Sequence, residues 1–332
     1  MLLSIFVIVA TSLAIWYAGE YFTLASSRIG DYLGFSKSAR GATLDAISSS
    51  LPELMISLIG LIIFHEFSIG IGTIVGSALF NILVIPAICV FLAPKPFKIS
   101  DEVVHRDGLF YNLTIIILLT AIFFSKGWSV QTAIIFLGAY LLYLFEIFRH
   151  GSTSVYLRNL SEFFRHGPSI RRKRKGKAKR IELELGIMLL SLGIIAISSY
   201  FLVDRVIFLS DSFGIPPIIL SFTLIAIATS FPDLVVSAHD AKRGDISGAS
   251  SNVFGSNIFD ILVGLGLPIL LASLLGIPAV ISVESMALVF ALLASTVVVL
   301  YIFAEKMILT KSRAVLLFLI YLGLLTYSIF LM

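Results

Sequence analysis

The chain alternates between long apolar stretches and short polar segments along almost its whole length. A membrane-spanning helix needs about 20 mostly apolar residues. The first stretch lacks a basic n-region and an obvious small-residue cleavage site, so we expect a retained span rather than a signal peptide. The pattern predicts an all-α membrane protein with ten spans, at roughly 2–24, 41–64, 69–93, 109–125, 129–148, 183–203, 214–238, 247–273, 280–304 and 314–332.

Four of these spans carry polar motifs that occur twice. The segment 50–54 (SLPEL) recurs as 230–234 (SFPDL), and the segment 76–83 (GSALFNIL) recurs as 255–262 (GSNIFDIL). Because five spans, an odd number, separate the two copies, the two halves would cross the membrane in opposite directions. Inverted repeats of this kind are typical of secondary transporters whose ion site lies near the midplane.

The repeat divides the chain into three predicted parts. Residues 1–148 form a first five-helix repeat with its motif at 41–84, residues 149–182 form a basic cytoplasmic loop, and residues 183–332 form a second five-helix repeat with its motif at 220–263. Lys and Arg favour the cytoplasmic side of a membrane. With both termini placed outside the cytoplasm, 22 of the 24 basic residues fall on the cytoplasmic side. We therefore expect a multi-pass cell-membrane protein with extracytoplasmic termini.

Composition supports this assignment. The chain has 332 residues, of which 58% are hydrophobic and only 13% are charged. A soluble domain of this size would carry about 25% charged residues. The lipid bilayer is thus the expected environment, and we expect no nucleic-acid partner.

Proline interrupts the polar span of each repeat. Pro52 has no N–H group and cannot donate to the carbonyl of Ser48, and Pro232 likewise leaves the carbonyl of Ala228 without its helical donor. Inside lipid a freed carbonyl needs another partner. A bound cation can be that partner, so both interruptions are candidate ion-binding positions.

Carboxylates and hydroxyls accompany both prolines. Glu53, Asp233 and Asp260 lie in predicted spans, where a charged group is costly, and no basic residue lies in the core of any predicted span. Oxygen ligands suit hard cations, and calcium fits best because it accepts six to eight oxygens in irregular geometry. The expected oxygen set adds the Asn81 amide, the freed carbonyls, and the hydroxyls of Ser49, Ser50, Ser77, Thr229, Ser230 and Ser256. For Ser77 and Ser256, helix packing is an equally good interpretation, and for the adjacent glycines packing is the better one.

At these motifs the chain resembles the calcium/cation antiporter superfamily, and within it the sodium/calcium exchangers. The segments 72–81 (GTIVGSALFN) and 230–234 (SFPDL) look like the potassium-dependent branch. The resemblance implies alternating access at one shared site, with sodium entry driving calcium export, potassium left open as a third ion, and no cofactor. The ion ligands that it implies are Ala46, Ser49, Ser50, Glu53, Ser77, Asn81, Ala226, Thr229, Ser230, Asp233, Ser256 and Asp260, the two alanines through their carbonyls.

Some residues depart from the pattern of that family. Ser48 and Ala228 stand where glycine is usual, and Thr73 replaces a common asparagine. Asp45 is an additional acid, which lies about 80° around the helix from Glu53. We expect it to face a different cavity, nearer the membrane edge. An aspartate at the position of Asp260 is associated with potassium dependence in the family but does not settle it, so ion preference and stoichiometry stay open.

Several alternatives remain. A proton/calcium antiporter would use the same carboxylates, although paired hydroxyls such as Ser49 and Ser50 favour dehydrated sodium ions. A magnesium or manganese exchanger could use the same oxygen set. An intramembrane aspartyl protease is disfavoured because its Gly-x-Gly-Asp signature is absent, so no enzyme activity is expected. A channel would be excluded by coupled counter-flux. Because the repeat completes one site within a single chain, oligomerisation is not required.

Overall fold

The computed structural model describes residues 1–33, 40–98, 103–124, 127–150, 175–281, 283–305 and 308–330. Over these ranges the chain is mostly helical, and its helices follow the ten predicted spans in order. Nine described helices are long and apolar enough to cross a membrane, and a bent pair of helices supplies a tenth crossing. This confirms the all-α membrane architecture. Most of the predicted basic loop, residues 151–174, lies outside the described residues, and so do Lys37, Lys126 and Lys306.

We label the ten spans α1 to α10, and several of them consist of consecutive helical segments. The first half contains α1 (Leu2–Leu33), α2 (Gly41–Asp45, Ala46–Ser49 and Leu51–Ile62), α3 (Phe67–Leu92), α4 (Val103–Asp107 and Gly108–Phe124) and α5 (Val130–His150). The second half contains α6 (Lys175–Phe213), α7 (Pro217–Leu220, Ser221–Ile225, Ala226–Thr229 and Phe231–Lys242), α8 (Ile246–Leu262 and Gly266–Leu274), α9 (Val283–Ala304) and α10 (Lys311–Phe330).

Two helices are much longer than their predicted spans. Helices α1 and α6 contain 32 and 39 residues, whereas the apolar pattern predicted only 2–24 and 183–203. At about 1.5 Å per residue both exceed the roughly 30 Å thickness of the hydrocarbon layer, so they tilt or extend into the headgroup region. The two helices pack against each other, and an ion pair between Arg28 and Glu184 joins them, with Nη1 and Oε1 3.1 Å apart.

Connections between loops agree with ten crossings. The short strands β1 (Phe97–Lys98) and β2 (Ile308–Leu309) pair antiparallel, and they join the α3–α4 loop to the α9–α10 loop. The amide of Trp128 donates to the carbonyl of Ala279 at 3.1 Å and joins the α4–α5 loop to the α8–α9 loop. Ten crossings place the members of each pair on the same side of the membrane. Which side faces the cytoplasm stays a prediction.

The motif helices are interrupted next to both prolines. The axis of α2 bends by 46° between Thr43–Ser49 and Leu51–Ile62, and Ser50 lies at the break with φ −91° and ψ 6°. Ser230 occupies the corresponding position in α7, but the segments of α7 together form one continuous span over Pro217–Lys242. Each proline lies in the first turn of the segment that follows, where its missing N–H group is tolerated. A π-helical turn precedes each interruption, so the local irregularity is repeated along with the sequence.

The two halves interlock through close helix contacts. Helix α3 is buried along most of its length and packs against α7, where a Cβ atom on Gly76 would lie 2.5 Å from the carbonyl oxygen of Phe222. Helix α2 packs against α8, where a Cβ atom on Gly41 would lie 2.9 Å from the carbonyl oxygen of Gly248. Only glycine permits these approaches. The motif helices of one half therefore meet those of the other in the centre of the molecule.

Candidate ion-binding site

Three carboxylates from three helices meet in this central region. Glu53 of α2, Asp233 of α7 and Asp260 of α8 are each 0% exposed, and one oxygen atom from each lies within 4.8 Å of the others. The ion pairs found among the described residues involve none of these three acids. A buried charge without a partner is strongly destabilising. The cluster therefore has the charge and the ligand type of a cation site.

Helix geometry explains why these side chains converge. The breaks at Ser50 and Ser230 place Glu53 and Asp233 in the first turn of the segments that follow. Along α8, Asp260 lies four residues after Ser256, so both project from the same face. Because the close contacts join α2 to α8 and α3 to α7, the polar faces of the four motif helices lie against one another.

Asp233 already has hydrogen-bond donors on both of its carboxylate oxygens. The hydroxyl of Ser256 donates to Oδ1 at 2.7 Å, and Nδ2 of Asn81 donates to Oδ2 at 2.7 Å. The Ser256 hydroxyl oxygen also lies 3.4 Å from that of Ser49. Donors from α3 and α8 thus hold the Asp233 side chain in a fixed orientation.

Glu53 and Asp260 share the Ser77 hydroxyl as a donor. The hydroxyl oxygen of Ser77 lies 3.2 Å from Oε1 of Glu53 and 3.3 Å from Oδ2 of Asp260. A hydroxyl has one hydrogen, so it can satisfy only one of these two oxygens at a time. Ser230 donates in turn to the Ser77 hydroxyl at 3.0 Å. Oε2 of Glu53 and Oδ1 of Asp260 are buried and accept no hydrogen bond within the described ranges.

Neutral oxygens complete the set. The Ser50 hydroxyl and Oδ1 of Asn81 are buried, and the described part of the chain supplies neither with a hydrogen-bond partner. The Thr229 hydroxyl donates to the carbonyl of Ala226 at 3.3 Å, which leaves its own lone pairs available. Buried oxygens without donors are what a dehydrated hard cation needs. The residues at this centre therefore fit an oxygen-ligated cation.

All twelve predicted ligand positions lie in this centre or in the helix segments beside it. Each of the twelve is 0% exposed. The carbonyls of Ala46 and Ala226 also accept helical hydrogen bonds, from the amides of Ser50 at 3.1 Å and Ser230 at 3.0 Å. Each carbonyl also accepts a second hydrogen bond at 3.3 Å, from the Ser49 hydroxyl to Ala46 and from the Thr229 hydroxyl to Ala226. A cation that coordinates either carbonyl would therefore take the place of that hydroxyl donor. Coordination by the individual residues stays a prediction.

Asp45 lies apart from the cluster and has its own counter-charge. It is 1% exposed, and Oδ2 accepts a hydrogen bond from Nε of Arg40 at 2.9 Å. Nη1 of Arg40 also lies 2.8 Å from Oδ1 of Asp31. Because Arg40 lies just before the predicted span, sequence reasoning did not assign it to Asp45.

Two buried asparagines near the site, Asn257 and Asn252, were not predicted from the sequence. Nδ2 of Asn257 donates to the carbonyl of Ala78 at 3.0 Å, and Oδ1 of Asn257 accepts from Nδ2 of Asn81 at 3.0 Å. Nδ2 of Asn252 donates to the Ser237 hydroxyl at 2.9 Å. A signal for the first was present, because the two copies of the second motif differ at this position, with Ala78 in one and Asn257 in the other.

Known proteins resemble this chain in sequence over most of its length. The sequence profile of the sodium/calcium exchanger protein family matches residues 3–148 and 183–330. The chain is 27% identical over 271 residues to the inner membrane protein YrbG of Escherichia coli, covering 82% of this chain and 81% of that protein. It is 29% identical over 275 residues to the sodium/calcium exchanger MaX1 of Methanosarcina acetivorans, covering 75% and 77%.

A shorter match and a solved structure complete the comparison. The chain is 37% identical over 125 residues to sodium/potassium/calcium exchanger 4 of Mus musculus, which covers 37% of this chain and 20% of that protein. A structure of the sodium-calcium exchanger NCX_Mj matches with a TM-score of 0.65 and 24% identity, covering 98% of both chains. That likeness supports the inverted-repeat fold.

Proposed function

This chain belongs to the sodium/calcium exchanger protein family, and we propose that it exchanges sodium for calcium across a cell membrane at one buried site. One observation carries the proposal. The Ser77 hydroxyl lies within hydrogen-bond distance of one oxygen of Glu53 and one of Asp260, the second oxygen of each acid has no donor among the described residues, and no described basic residue forms an ion pair with either acid. A cation supplies the missing charge and the missing contacts.

Calcium suits this site better than a soft transition metal. The three acids offer only oxygen atoms, and the described metal-ligand cluster includes no histidine or cysteine. Hydroxyl, amide and carbonyl oxygens lie beside them, and oxygens of these types are the ligands that calcium accepts, six to eight at a time in irregular geometry. Soft metals prefer thiolate or imidazole ligands.

Sodium coupling rests on the same set of oxygens. Three carboxylates balance either one calcium ion or several sodium ions. The hydroxyls of Ser49, Thr229 and Ser230 can replace water around a sodium ion, whereas a proton needs only a carboxylate. In an inverted repeat, each half can open the shared site to one side of the membrane, which provides alternating access. Competition between the two ions for one set of ligands then couples their movements.

Potassium is a third candidate ion, and Asp260 is the residue through which we propose to test it. The mouse relative carries potassium in its name, but its match covers only 20% of that protein. Asp260 provides a third negative charge beside Glu53 and Asp233. A site that holds calcium and potassium together needs that charge more than a site for calcium alone. Potassium co-transport is therefore tested separately from sodium coupling.

The decisive experiment measures radioactive calcium uptake into proteoliposomes loaded with sodium, with and without external potassium. We expect uptake to need the outward sodium gradient and to be lost in Glu53→Gln. The exposed Glu182→Gln is the matched control, since it makes the same chemical change far from the site and should transport normally. Uptake that ignores sodium but follows an imposed pH gradient would instead identify a proton/calcium antiporter.

Two further readouts separate the remaining alternatives. Inhibition of calcium uptake by magnesium or manganese at lower concentrations than unlabelled calcium would indicate an exchanger for those ions. Calcium flux that runs without any counter-ion gradient would indicate a channel. Stimulation of sodium-driven uptake by potassium, lost in Asp260→Asn, would place potassium in the transport cycle.

A further inference from the structure

Beyond the twelve predicted ligands, we propose that Asn257 is a positioning residue, which fixes the orientation of the Asn81 amide and so presents the oxygen of Asn81 to the cation. The inference rests on the proposed function only in that a cation occupies the carboxylate cluster. It does not depend on which cation that is. Asn257 is 0% exposed and contributes no atom to the carboxylate cluster.

The main chain of α3 fixes the orientation of the Asn257 amide. Its Nδ2 lies 3.0 Å from the main-chain carbonyl oxygen of Ala78. A carbonyl oxygen can only accept hydrogen bonds, so the nitrogen of the Asn257 amide must face it. The amide oxygen of Asn257 then necessarily points to the other side.

The Asn81 amide contacts the oxygen of Asn257 and a carboxylate oxygen of Asp233. Oδ1 of Asn257 lies 3.0 Å from Nδ2 of Asn81, and the same nitrogen lies 2.7 Å from Oδ2 of Asp233. Both neighbours are acceptors, and the amide nitrogen has two hydrogens, one for each. A flipped Asn81 amide would set its own oxygen against two other oxygens. The Asp233 carboxylate and, through Asn257, the backbone carbonyl of Ala78 therefore fix the Asn81 orientation together.

The amide oxygen of Asn81 is the atom that remains for a cation. With its nitrogen fully used, Asn81 keeps Oδ1 buried and without a hydrogen-bond partner among the described residues. An amide oxygen in this condition is a good ligand for a hard cation. Asn257 thus makes Asn81 present a cation ligand, while the nitrogen of Asn81 restrains Asp233. The first repeat has Ala78 at the equivalent position, so this device occurs on one side of the site only.

Asn252 provides a matched control on the same helix. It is also 0% exposed, and its Nδ2 lies 2.9 Å from the Ser237 hydroxyl and 3.4 Å from the carbonyl oxygen of Asp233. Its hydrogen bonds do not involve Asn81. Replacing Asn252 removes a buried amide of the same size without touching the proposed linkage.

The test is a double-mutant cycle read as cation affinity. The full-length protein and its Asn257→Ala, Asn81→Ala and doubly substituted variants are purified in detergent. Apparent affinity is measured from the rise in melting temperature with added sodium, potassium, calcium, magnesium or manganese. We expect Asn257→Ala to weaken affinity about tenfold, the lower end of the range for residues that orient a ligand. The double variant should be no weaker than Asn81→Ala alone, whereas Asn252→Ala should add its own effect to that of Asn81→Ala.

Independent effects of Asn257→Ala and Asn81→Ala would overturn the proposal, and so would an unchanged affinity in Asn257→Ala. A purely structural role lowers the melting temperature without producing this non-additivity in affinity. If Asn257→Ala does not fold, Asn257→Ser goes through the same cycle, because its hydroxyl retains a buried polar group. The affinities of the variants are compared for the cation that raises the melting temperature of the wild type most. A preference for a cation other than calcium would therefore overturn the proposed function and leave the result for Asn257 intact.

Discussion

Asp233 and Glu53 occupy equivalent positions in the two repeats, yet their surroundings differ. Both oxygens of Asp233 accept 2.7 Å hydrogen bonds, one from Ser256 and one from Asn81. Glu53 has one oxygen at 3.2 Å from a hydroxyl that it shares with Asp260, and its other oxygen has no donor within the described ranges. The protein satisfies one carboxylate itself and leaves the other two to the cation.

This difference shows that repetition of a motif does not make two equal ligands. A carboxylate held by two donors is preorganised and needs little rearrangement when an ion arrives. Carboxylates without donors repel each other until a cation enters, so they make the empty site unstable. The Asp233 side thus gives the site its shape, and the Glu53–Asp260 side gives it most of its attraction for a cation.

Neutralising Glu53 and Asp233 one at a time tests this division of roles. Both Glu53→Gln and Asp233→Asn should abolish calcium transport. Glu53→Gln should weaken calcium binding by at least about a thousandfold, because even a pair of unit charges at about 4 Å contributes about 4 kcal/mol at an effective dielectric near 20, and calcium carries two charges. Without cations, Glu53→Gln should melt above the wild type because it relieves repulsion. Asp233→Asn should melt below Glu53→Gln. The Asp233 carboxylate accepts hydrogen bonds from both Ser256 and Asn81, whereas an asparagine amide has one oxygen and would leave one of these two donors without an acceptor.

The measurement is a melting curve in sodium-free and calcium-free buffer together with calcium uptake for each variant. The expected difference between the two variants corresponds to one unsatisfied buried donor, about 1–3 kcal/mol. Glu182→Gln again serves as the control for the loss of one acidic group. Equal melting temperatures for the two variants, or the reverse order, would show that the carboxylates are equivalent and that the division is wrong.

The repeat and the acids themselves could be predicted from the sequence for a simple physical reason. Intramembrane charge is costly, so Glu53, Asp233 and Asp260 are conspicuous in apolar spans. Hydropathy also located all ten spans, because each contains about 20 apolar residues. It underestimated α1 and α6, since a helix continues beyond the apolar segment that a hydropathy rule detects.

The allocation of donors was not predictable in the same way. Which carboxylate receives the Ser256 hydroxyl depends on how α7 and α8 are rotated against each other, and hydropathy does not report rotation. The role of Asn257 depends on a main-chain carbonyl of α3, which has no signature in side-chain sequence. Arg40 and Asp45 are five residues apart, yet their pairing depends on the π-helical turn of Gly41–Asp45 between them.

Separating α3 from α7 should disturb both sides of the site. A Cβ atom on Gly76 would lie 2.5 Å from both the Phe222 carbonyl oxygen and the Ala226 Cβ atom. Gly76→Ala should therefore push the helices apart at an overpacking penalty of about 1–3 kcal/mol. Asn81 reaches Asp233 across the same interface, so that hydrogen bond weakens and Asp233 loses one of its two donors. We expect transport to fall severalfold, together with a lower melting temperature.

The control for this substitution is Gly138→Ala in α5. A Cβ atom on Gly138 would meet nothing within 4 Å. Alanine there should leave transport unchanged and stabilise the helix by up to about 1 kcal/mol. If the Gly76→Ala protein transports and melts like the Gly138→Ala protein, the close α3–α7 contact is not what supplies Asp233 with its second hydrogen-bond donor.

Asp45 differs from Glu53 and Asp260 because it is a buried carboxylate paired with an arginine of the same chain. Arg40 pairs with it at 2.9 Å, and Asp45 does not belong to the cluster of Glu53, Asp233 and Asp260. Asp45→Asn should therefore leave the calcium half-saturation of transport within about twofold of the wild type, as for sites that share no partners. Arg40→Gln should lower the melting temperature because it strands a buried charge, and the doubly neutralised protein should recover most of the loss. A carboxylate that is already paired with arginine contributes little to the binding of another cation. A large fall in calcium affinity in Asp45→Asn would therefore contradict this prediction and place Asp45 on the ion pathway.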